Sequence, residues 1–536
     1  GWKPILESLQ YTAKSSVESI VLKTYQLVTN DIAKEHFESV LAQDDSFAEL
    51  VGVFREITKN KKYQKLSLHS LEALKKITQK IAAICFKEDS KQLLHGKDLF
   101  NDVWLPVLFC FNDTIMTAED LEVRSRALNY MFDALVAYGR EFDDEFWEKI
   151  CTKLLFPIFG VLSKHWEVNQ FNSHDDLSVW LSTTLIQALR NMIALFTHYF
   201  SSLNKMLDGF LGLLVSCICQ ENDTIARIGR SCFQQLIIQN MARFDKSHWV
   251  QIGDAFGKLF DLTTASELFE YDPLQQGRRT SETVATSTGT NVASVDQELE
   301  RAHKEEGGED VGNASAESAK PPKRLVKTKS SEDLRKRISV KNAIVVKCVL
   351  QLLMIESLSE LFENEDFFNN IPYQEVIRMT SLLEKSYEFA RDFNDDYELR
   401  TRLVDARVVD KVPNLLKQET SASAVLINIM FKLYLNNESE PEETKNHLLK
   451  RLISVCIDIV KRYAALDEST MERNINTWRP VIVEILQGYY EFDDADFKTH
   501  CAVMYDLVMQ ILDKSVPGDL RHAVKVFLTR TGELYL

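Results

Sequence analysis

Three groups of residues combine types and spacing that could carry chemistry. Carboxylates cluster at residues 141–145 and at residues 491–494, and paired carboxylates can serve as general acid and general base. Residues 217–219 read Cys-Ile-Cys, and His165 and His174 lie nine positions apart. Thiolates and imidazoles are the usual ligands of zinc, so each group has to be weighed against a purely structural role.

The structural role explains all three groups better. Each carboxylate cluster stands directly before an apolar helical segment, where acidic side chains cap free N–H groups and complement the helix dipole. The two cysteines lie inside the apolar run Phe210–Cys219, and the two histidines flank a polar loop. The sequence contains no phosphate-binding loop and no HExxH, GxSxG or kinase signature. It therefore predicts no catalytic residue, no metal site and no cofactor.

Composition favours helices and a partner other than nucleic acid. Of 536 residues only 18 are Gly and 11 are Pro, and both residues weaken helix interiors. The length exceeds what one compact core can organise. Nine cysteines without a CxxC pair are typical of free core thiols in a cytosolic protein. A net charge of −16 argues against nucleic-acid binding, which needs a cationic surface.

Three helical segments in the first half share one pattern. An apolar residue is followed four positions later by a small residue and then by apolar residues on the same helix face. The segments begin at Leu66, Val123 and Ile225, and their small residues are Ser70, Ala127 and Gly229. A small residue lets a neighbouring helix approach closely. We predict an armadillo/HEAT-like helical solenoid over residues 1–273, with an ordinary helical bundle as the alternative.

Residues 274–341 differ in composition from the rest of the chain. They are rich in Ser, Thr, Gly, Ala and charge, and they hold few large apolar residues. Such a segment cannot bury enough surface to offset its ordering entropy, so we predict a disordered linker, acidic in its first part and basic in its second. Its basic residues are Lys323, Arg324, Lys327, Lys329, Arg335, Lys336, Arg337 and Lys341.

This basic run is the best local signal of function in the sequence. Clustered Lys and Arg can bind anionic lipid headgroups, at roughly 1 kcal/mol per basic residue. Ser330, Ser331 and Ser339 lie within the run and are predicted phosphorylation sites, because phosphate would subtract positive charge and weaken lipid binding. An ordinary solvated linker is the alternative.

Residues 342–536 return to helical periodicity and form a predicted C-terminal solenoid block. We predict helices at residues 343–362, 375–393, 413–434, 445–463, 476–490, 496–512 and 520–534. The third of these is the most informative, because Pro413 and Asn414 precede apolar residues at helical spacing with small residues at the centre. Its predicted core residues are Leu416, Ala424, Ile427 and Phe431.

The same segment resembles one protein family. Pro413-Asn-Leu-Leu-Lys-Gln-Glu-Thr-Ser421 is similar to the C-terminal region of the large trans-Golgi Arf guanine-nucleotide exchange factors, the brefeldin-A-inhibited (BIG) family with its fungal member Sec-seven. Further blocks agree in the same order. They are Gly1-Trp-Lys-Pro-Ile-Leu6, Trp180-Leu-Ser-Thr-Thr-Leu185, Phe196-Thr-His-Tyr199, Glu221-Asn-Asp223 through Gly229, Val346-Lys-Cys-Val349 and Asp519-Leu-Arg521 through Arg530.

The resemblance implies a fragment without the exchange domain, made of the blocks that follow that domain. In the family these blocks control membrane recruitment, autoinhibition and activation. The implied partners are Arf-, Arl- and Rab-type small GTPases, the anionic surface of trans-Golgi membranes and a second copy in a homodimer. The implied location is cytoplasmic and peripheral on those membranes.

The matched motifs have the character of packing signatures, so no GTPase-contacting residue is assigned. Trp180, Thr183 and Thr184 are expected to contact neighbouring helices rather than partners. A helical scaffold, adaptor or transport receptor without an exchange-factor role is the alternative function. A helical enzyme is a third, which the missing catalytic constellations disfavour.

Overall fold

The computed structural model describes residues 1–43, 45–86, 98–162, 184–270, 329–405, 411–436, 441–514 and 516–535. Side chains are described in these ranges except at residues 161–162, 270 and 329–340. Every regular element within the ranges is a helix, which confirms the predicted all-α, helical-repeat fold. The chain divides into two compact units, Gly1–Gln251 and Ile252–Leu536, and each is described by itself.

The first unit consists of paired helices. Its α-helices are α1 (Trp2–Ala13), α2 (Glu18–Gln26), α3 (Phe37–Ala42), α4 (Ser46–Thr58), α5 (Gln64–Cys85), α6 (Leu105–Thr117), α7 (Leu121–Tyr138), α8 (Asp144–Ile150), α9 (Ile186–His198), α10 (Phe200–Leu203), α11 (Leu207–Ile218) and α12 (Asp223–Asn240). A short α-helical turn, Ala33–Glu35, precedes α3. Helical turns of other pitch adjoin six of the described helices: they are Leu27–Ile32 after α2, Leu99–Trp104 before α6, Gly139–Glu141 after α7, Cys151–Leu162 after α8, Asn204–Met206 after α10 and Met241–Arg243 after α12.

Packing arranges the first unit in two layers. In one layer α5, α7, α9 and α12 each pack against the next. In the other, α4 packs against α1 and α6, and the turns of residues 151–162 lie between α6 and α11. The hairpins α4/α5, α6/α7 and α11/α12 join the layers. Because each hairpin buries a face against its neighbours, the core runs between the layers from one repeat to the next.

The three segments with the shared pattern are α5, α7 and α12, which lie in the same layer. Their small residues admit the other helix of the same hairpin. The Ser70 hydroxyl donates to the Phe54 carbonyl of α4 at 3.1 Å. A Cβ added at Gly229 would stand only 2.9 Å from the Cβ of Cys217 in α11. The predicted close approach is therefore confirmed at both positions.

The second unit starts within α13 (Lys246–Thr263) and surrounds one long central helix. Its further helices are α14 (Glu267–Glu270), α15 (Lys329–Glu363), α16 (Glu365–Asn370), α17 (Tyr373–Asp395), α18 (Tyr397–Asp405), α19 (Leu416–Asn436), α20 (Glu442–Ala464), α21 (Glu472–Tyr490), α22 (Asp494–Leu512) and α23 (Gly518–Tyr535). Helix α19 packs against α15, α17, α20 and α21, while α20 pairs with α22 and α21 with α23.

A small hydrophobic core brings together residues that precede and residues that follow the segment 271–328. Leu268 lies in one buried cluster with Phe393 of α17, and the Lys347 ammonium forms an ion pair with the Glu267 carboxylate. The residues just before position 270 therefore pack with the helices of the second unit.

The predicted linker lies largely outside the described residues. Its residues 329–341 are helical and form the start of α15. The domain boundaries after residues 273 and 341, and the disorder of the linker, stay predictions.

The helix predicted at residues 343–362 lies within the longer α15. The other six predicted helices of the C-terminal part are confirmed, with ends that differ by at most four residues. Of the predicted core of α19, Leu416, Ile427 and Phe431 are buried. The prediction for Ala424 is wrong, since that residue is only half-buried. Ala422, with no exposed surface, is the small residue that enters the core instead.

The carboxylate clusters cap helices, as predicted. The Asp143 carboxylate accepts the Phe146 backbone N–H at 2.8 Å at the start of α8, and the Asp493 carboxylate accepts that of Asp496 at 2.8 Å at the start of α22. None of the described helices is both long and apolar enough to cross a lipid bilayer.

Candidate functional site

The basic run of residues 323–341 has few described side chains. Lys323, Arg324 and Lys327 fall outside the described residues. Only the backbone is described, within α15, for Lys329, Ser330, Ser331, Arg335, Lys336, Arg337 and Ser339. Lys341 is half-buried. The lipid-contact and phosphorylation sites therefore stay predictions, now placed on a helical backbone from residue 329 onward.

The family-like motif forms the start of α19, and two asparagine side chains fix where that helix begins. The Asn414 side-chain oxygen accepts the Leu416 backbone N–H at 3.1 Å. The Asn394 side-chain oxygen, from α17, accepts the Leu415 backbone N–H at 2.7 Å. Both satisfy N–H groups that a helix start leaves without an intrahelical partner.

A chain of neutral polar side chains crosses the interior of the second unit. The Ser386 hydroxyl of α17 accepts hydrogen bonds from the amides of Gln351 at 2.8 Å and Gln418 at 3.1 Å. Gln351 in turn accepts from the Thr263 hydroxyl of α13. All four side chains are buried. One line of hydrogen bonds thus connects α13, α15, α17 and α19.

An ionic cluster lies beside this chain. The carboxylate of Glu419, a buried residue, accepts from the Asn394 amide at 2.6 Å and from the Arg462 guanidinium of α20 at 3.2 Å. Arg462 also donates two hydrogen bonds to the Asp395 carboxylate, at 2.7 and 2.9 Å. A buried carboxylate needs such partners because its desolvation is costly.

The electrostatics of the cluster follow from burial and charge. Burial raises the pKa of the Glu419 carboxyl above its usual value, while the Asn394 amide and the Arg462 charge oppose that rise. Hydrogen bonding and charge from Asp395 hold the pKa of the Arg462 guanidinium above its ordinary value. Arg462 therefore stays charged and supplies the counter-charge that Glu419 needs.

The last matched block also serves packing. The Arg530 guanidinium of α23 donates to the Phe492 carbonyl at 2.5 Å and to the Asp494 carboxylate at 3.1 Å, and it lies 4.4 Å from the centre of the Phe497 ring. It thus ties α23 to the turn between α21 and α22. Thr184 of the earlier block is buried as expected, whereas Trp180 and Thr183 lie outside the described residues.

The sulfur and nitrogen groups considered for metal binding do not form a described site. Burial raises the pKa of the Cys217 thiol to about 12 and that of Cys219 to about 11, so neither is a thiolate at neutral pH. His165 and His174 lie outside the described residues. Within the part of the chain that the structure describes, no group of three His, Cys, Asp or Glu residues could hold a metal ion.

A surface cleft between α7 and α9 is lined by Asn129, Asp133, Val136, Asn191 and Ala194, among others. It brings one carboxylate together with amides and apolar groups. That set contains no nucleophile with an adjacent base, which covalent catalysis requires.

Sequence reasoning missed the ionic cluster. Asn394 and Arg462 lie 25 and 43 residues from Glu419 along the chain, and neither position follows from helical spacing. The only available signal was the unusual run Gln418-Glu419-Thr420 on the side of α19 that also carries its apolar residues.

Comparisons with known proteins agree with the motif. The family model described as the BIG2 C-terminal domain matches residues 349–529. The ADP-ribosylation factor guanine nucleotide-exchange factor SEC7 of Saccharomyces cerevisiae is 66% identical, over 100% of this chain and 29% of that protein. The exchange factor sec72 of Schizosaccharomyces pombe is 32% identical, over 100% of this chain and 28% of that protein.

A more distant relative gives the same coverage. Brefeldin A-inhibited guanine nucleotide-exchange protein 1 of Bos taurus is 23% identical, over 100% of this chain and 30% of that protein. The chain therefore spans less than a third of the length of each of these relatives.

The pairing of Glu419 with Arg462 can be tested with a double-mutant cycle. Arg462→Met should lower the free energy of unfolding by about 2 kcal/mol or more, because it leaves a buried carboxylate without its counter-charge. In a Glu419→Gln background the same substitution should cost clearly less, since a neutral amide needs no cation. Urea unfolding followed by circular dichroism measures both costs, and equal costs in the two backgrounds would contradict the pairing.

Proposed function

Because this chain is a region of the BIG and Sec-seven family of large Arf guanine-nucleotide exchange factors, to which it is homologous along its whole length, we propose that it is a non-catalytic, regulatory part of such a factor. The observation that carries the proposal is the coverage: all of this chain matches, and it matches 28–30% of each relative named above. Nucleotide exchange is then the task of the remainder of the protein.

The regulation we propose acts through small GTPases and membranes. The region binds Arf-, Arl- and Rab-type GTPases and so controls recruitment, autoinhibition and activation of the exchange factor in vesicle traffic. It acts in the cytoplasm, peripherally on trans-Golgi membranes, and contributes to a homodimer. The net charge of −16 argues against nucleic acid as a partner.

The contacts inside the second unit support partner binding by exposed surfaces rather than by the matched motif. Gln418 and Glu419 use their polar groups on neighbouring helices, and Arg530 does the same. These side chains hold helices in place, so partners have to be recognised by exposed residues elsewhere.

Two further parts of the proposal concern the basic run. Lys323 to Lys341 contact anionic headgroups, and phosphorylation of Ser330, Ser331 or Ser339 weakens that contact. The alternative function is a helical scaffold or transport adaptor, which needs no nucleotide-dependent partner.

Two assays, one of GDP release and one of retention on immobilised GTPases, separate these functions. The purified chain should not accelerate the release of fluorescent GDP from Arf, because the exchange domain is a different part of the protein. It should be retained by immobilised Arf, Arl or Rab proteins loaded with a GTP analogue and not by the same proteins loaded with GDP, because the γ-phosphate orders the switch loops.

The two assays fail in different ways. Accelerated GDP release by the chain alone would contradict its non-catalytic role. Equal retention on GTP-loaded and GDP-loaded proteins, or retention on neither, would favour the scaffold alternative over GTPase-responsive regulation.

The lipid contact can be tested by charge reversal. Changing Arg335, Lys336 and Arg337 to Glu should weaken co-sedimentation with anionic vesicles at least about tenfold, since each basic residue contributes roughly 1 kcal/mol. The matched control reverses the exposed Lys61, Lys62 and Lys65, which changes the net charge by the same amount. Loss of binding in both variants, or in neither, would rule out a specific role for the basic run.

A further inference from the structure

Helix α22 is apolar on two sides. Its core side carries buried residues at spacings of four, three, four and three, which keep them on one helix face. They are Phe497, Cys501, Met504, Val508 and Ile511. This stripe accounts for the packing of α22 against α20, α21 and α23.

A second stripe runs beside the first and faces solvent. Ala502 is exposed, and Tyr505, Met509 and Leu512 are 38%, 43% and 39% exposed. The spacings of three, four and three are those of a heptad seam, the pattern by which one helix meets another along its length. We call these four residues the outer stripe.

The outer stripe differs from the exposed surface around it. On the remaining exposed side of α22 stand Val503, Asp506, Gln510 and Asp513, of which only the valine is apolar. The exposed residues along the neighbouring α20 include Asn446, Lys450, Ser454 and Lys461, all polar. Outer helices of repeat proteins carry polar faces where they meet only water, so the outer stripe has the composition of a contact surface.

Tyr535 extends this surface at one end. Its hydroxyl donates to the Lys498 carbonyl at 2.9 Å, one turn before Ala502, and the residue is 57% exposed. An aromatic ring held by a hydrogen bond adds contact area at little cost in side-chain entropy.

We propose that the outer stripe of α22 pairs, antiparallel, with the outer stripe of a second copy of this chain. A twofold axis near residue 507 sets Tyr505 opposite Met509 and the small Ala502 opposite the larger Leu512, so the stripe is complementary to itself. The inference rests on the homodimer of the proposed function and names the surface through which the two copies meet.

Charge at the ends of the stripe agrees with the antiparallel arrangement. Both Lys498 and Asp513 are exposed. In the antiparallel pair, Lys498 of one copy comes within about one turn of Asp513 of the other, at each end of the interface. A parallel pair would place Lys498 beside Lys498 and Asp513 beside Asp513, and like charges disfavour that pairing.

The pair should be weak. Four residues and one tyrosine from each copy cover less than a standard stable interface, and the chain carries a net charge of −16 that repels its copy. We therefore expect a monomer–dimer equilibrium that depends on protein concentration and shifts toward dimer when salt screens the repulsion.

Two matched variants of the full chain test the proposal. Met509→Lys places a charge in the outer stripe, whereas Val503→Lys makes the same kind of change at a 53% exposed residue that lies about 140° around the helix from the stripe, at 3.6 residues per turn. Sedimentation equilibrium over a range of concentrations should show at least a tenfold weaker dimer for Met509→Lys and an unchanged dimer for Val503→Lys. Circular dichroism confirms that both variants keep their helices.

Three results would overturn the proposal: a wild-type chain that is monomeric at every concentration, a dimer that Met509→Lys leaves unchanged, or equal weakening by both variants. The GTPase-retention assay keeps this failure apart from failure of the proposed function. Met509→Lys should still bind GTP-loaded partners as the wild type does, because the outer stripe contacts a second copy and not a GTPase.

Discussion

The second unit depends on satisfying the buried polar groups of its central helix. Gln418 and Glu419 point into the interior of the unit, where each unpaired donor or acceptor would cost free energy. Their partners come from other helices, namely Ser386 and Asn394 of α17 and Arg462 of α20. Apolar residues would tolerate small shifts between helices, but these hydrogen bonds specify one arrangement of α17, α19 and α20.

This constraint explains why residues that carry the family resemblance serve packing within the chain. The side chains of Gln418, Glu419 and Arg530 form hydrogen bonds with groups of neighbouring helices and turns. They identify the fold and hold it together. Recognition is left to exposed residues, and the described surface offers the outer stripe of α22 for that task.

Most of the fold could be predicted from periodicity, because apolar spacing and scarce Gly and Pro report helices directly. Ser70 and Gly229 could be recognised as points of close approach, since small residues on an apolar face have few other uses. The ionic cluster could not be predicted, because Arg462 reaches Glu419 through tertiary packing. The outer stripe was present in the sequence, but spacing alone does not tell which of two apolar stripes finds a partner within the chain.

The central claim is that α19 and its polar partners hold the second unit together. Hydrogen exchange of the intact chain, read by mass spectrometry on peptides from the second unit, tests it most directly. The account predicts that the amides of residues 420–433 exchange more slowly than those of α16, α18 and α23, and only when the whole unit unfolds. Exchange in α19 that is as fast as in α16 or α18, through local opening, would contradict it.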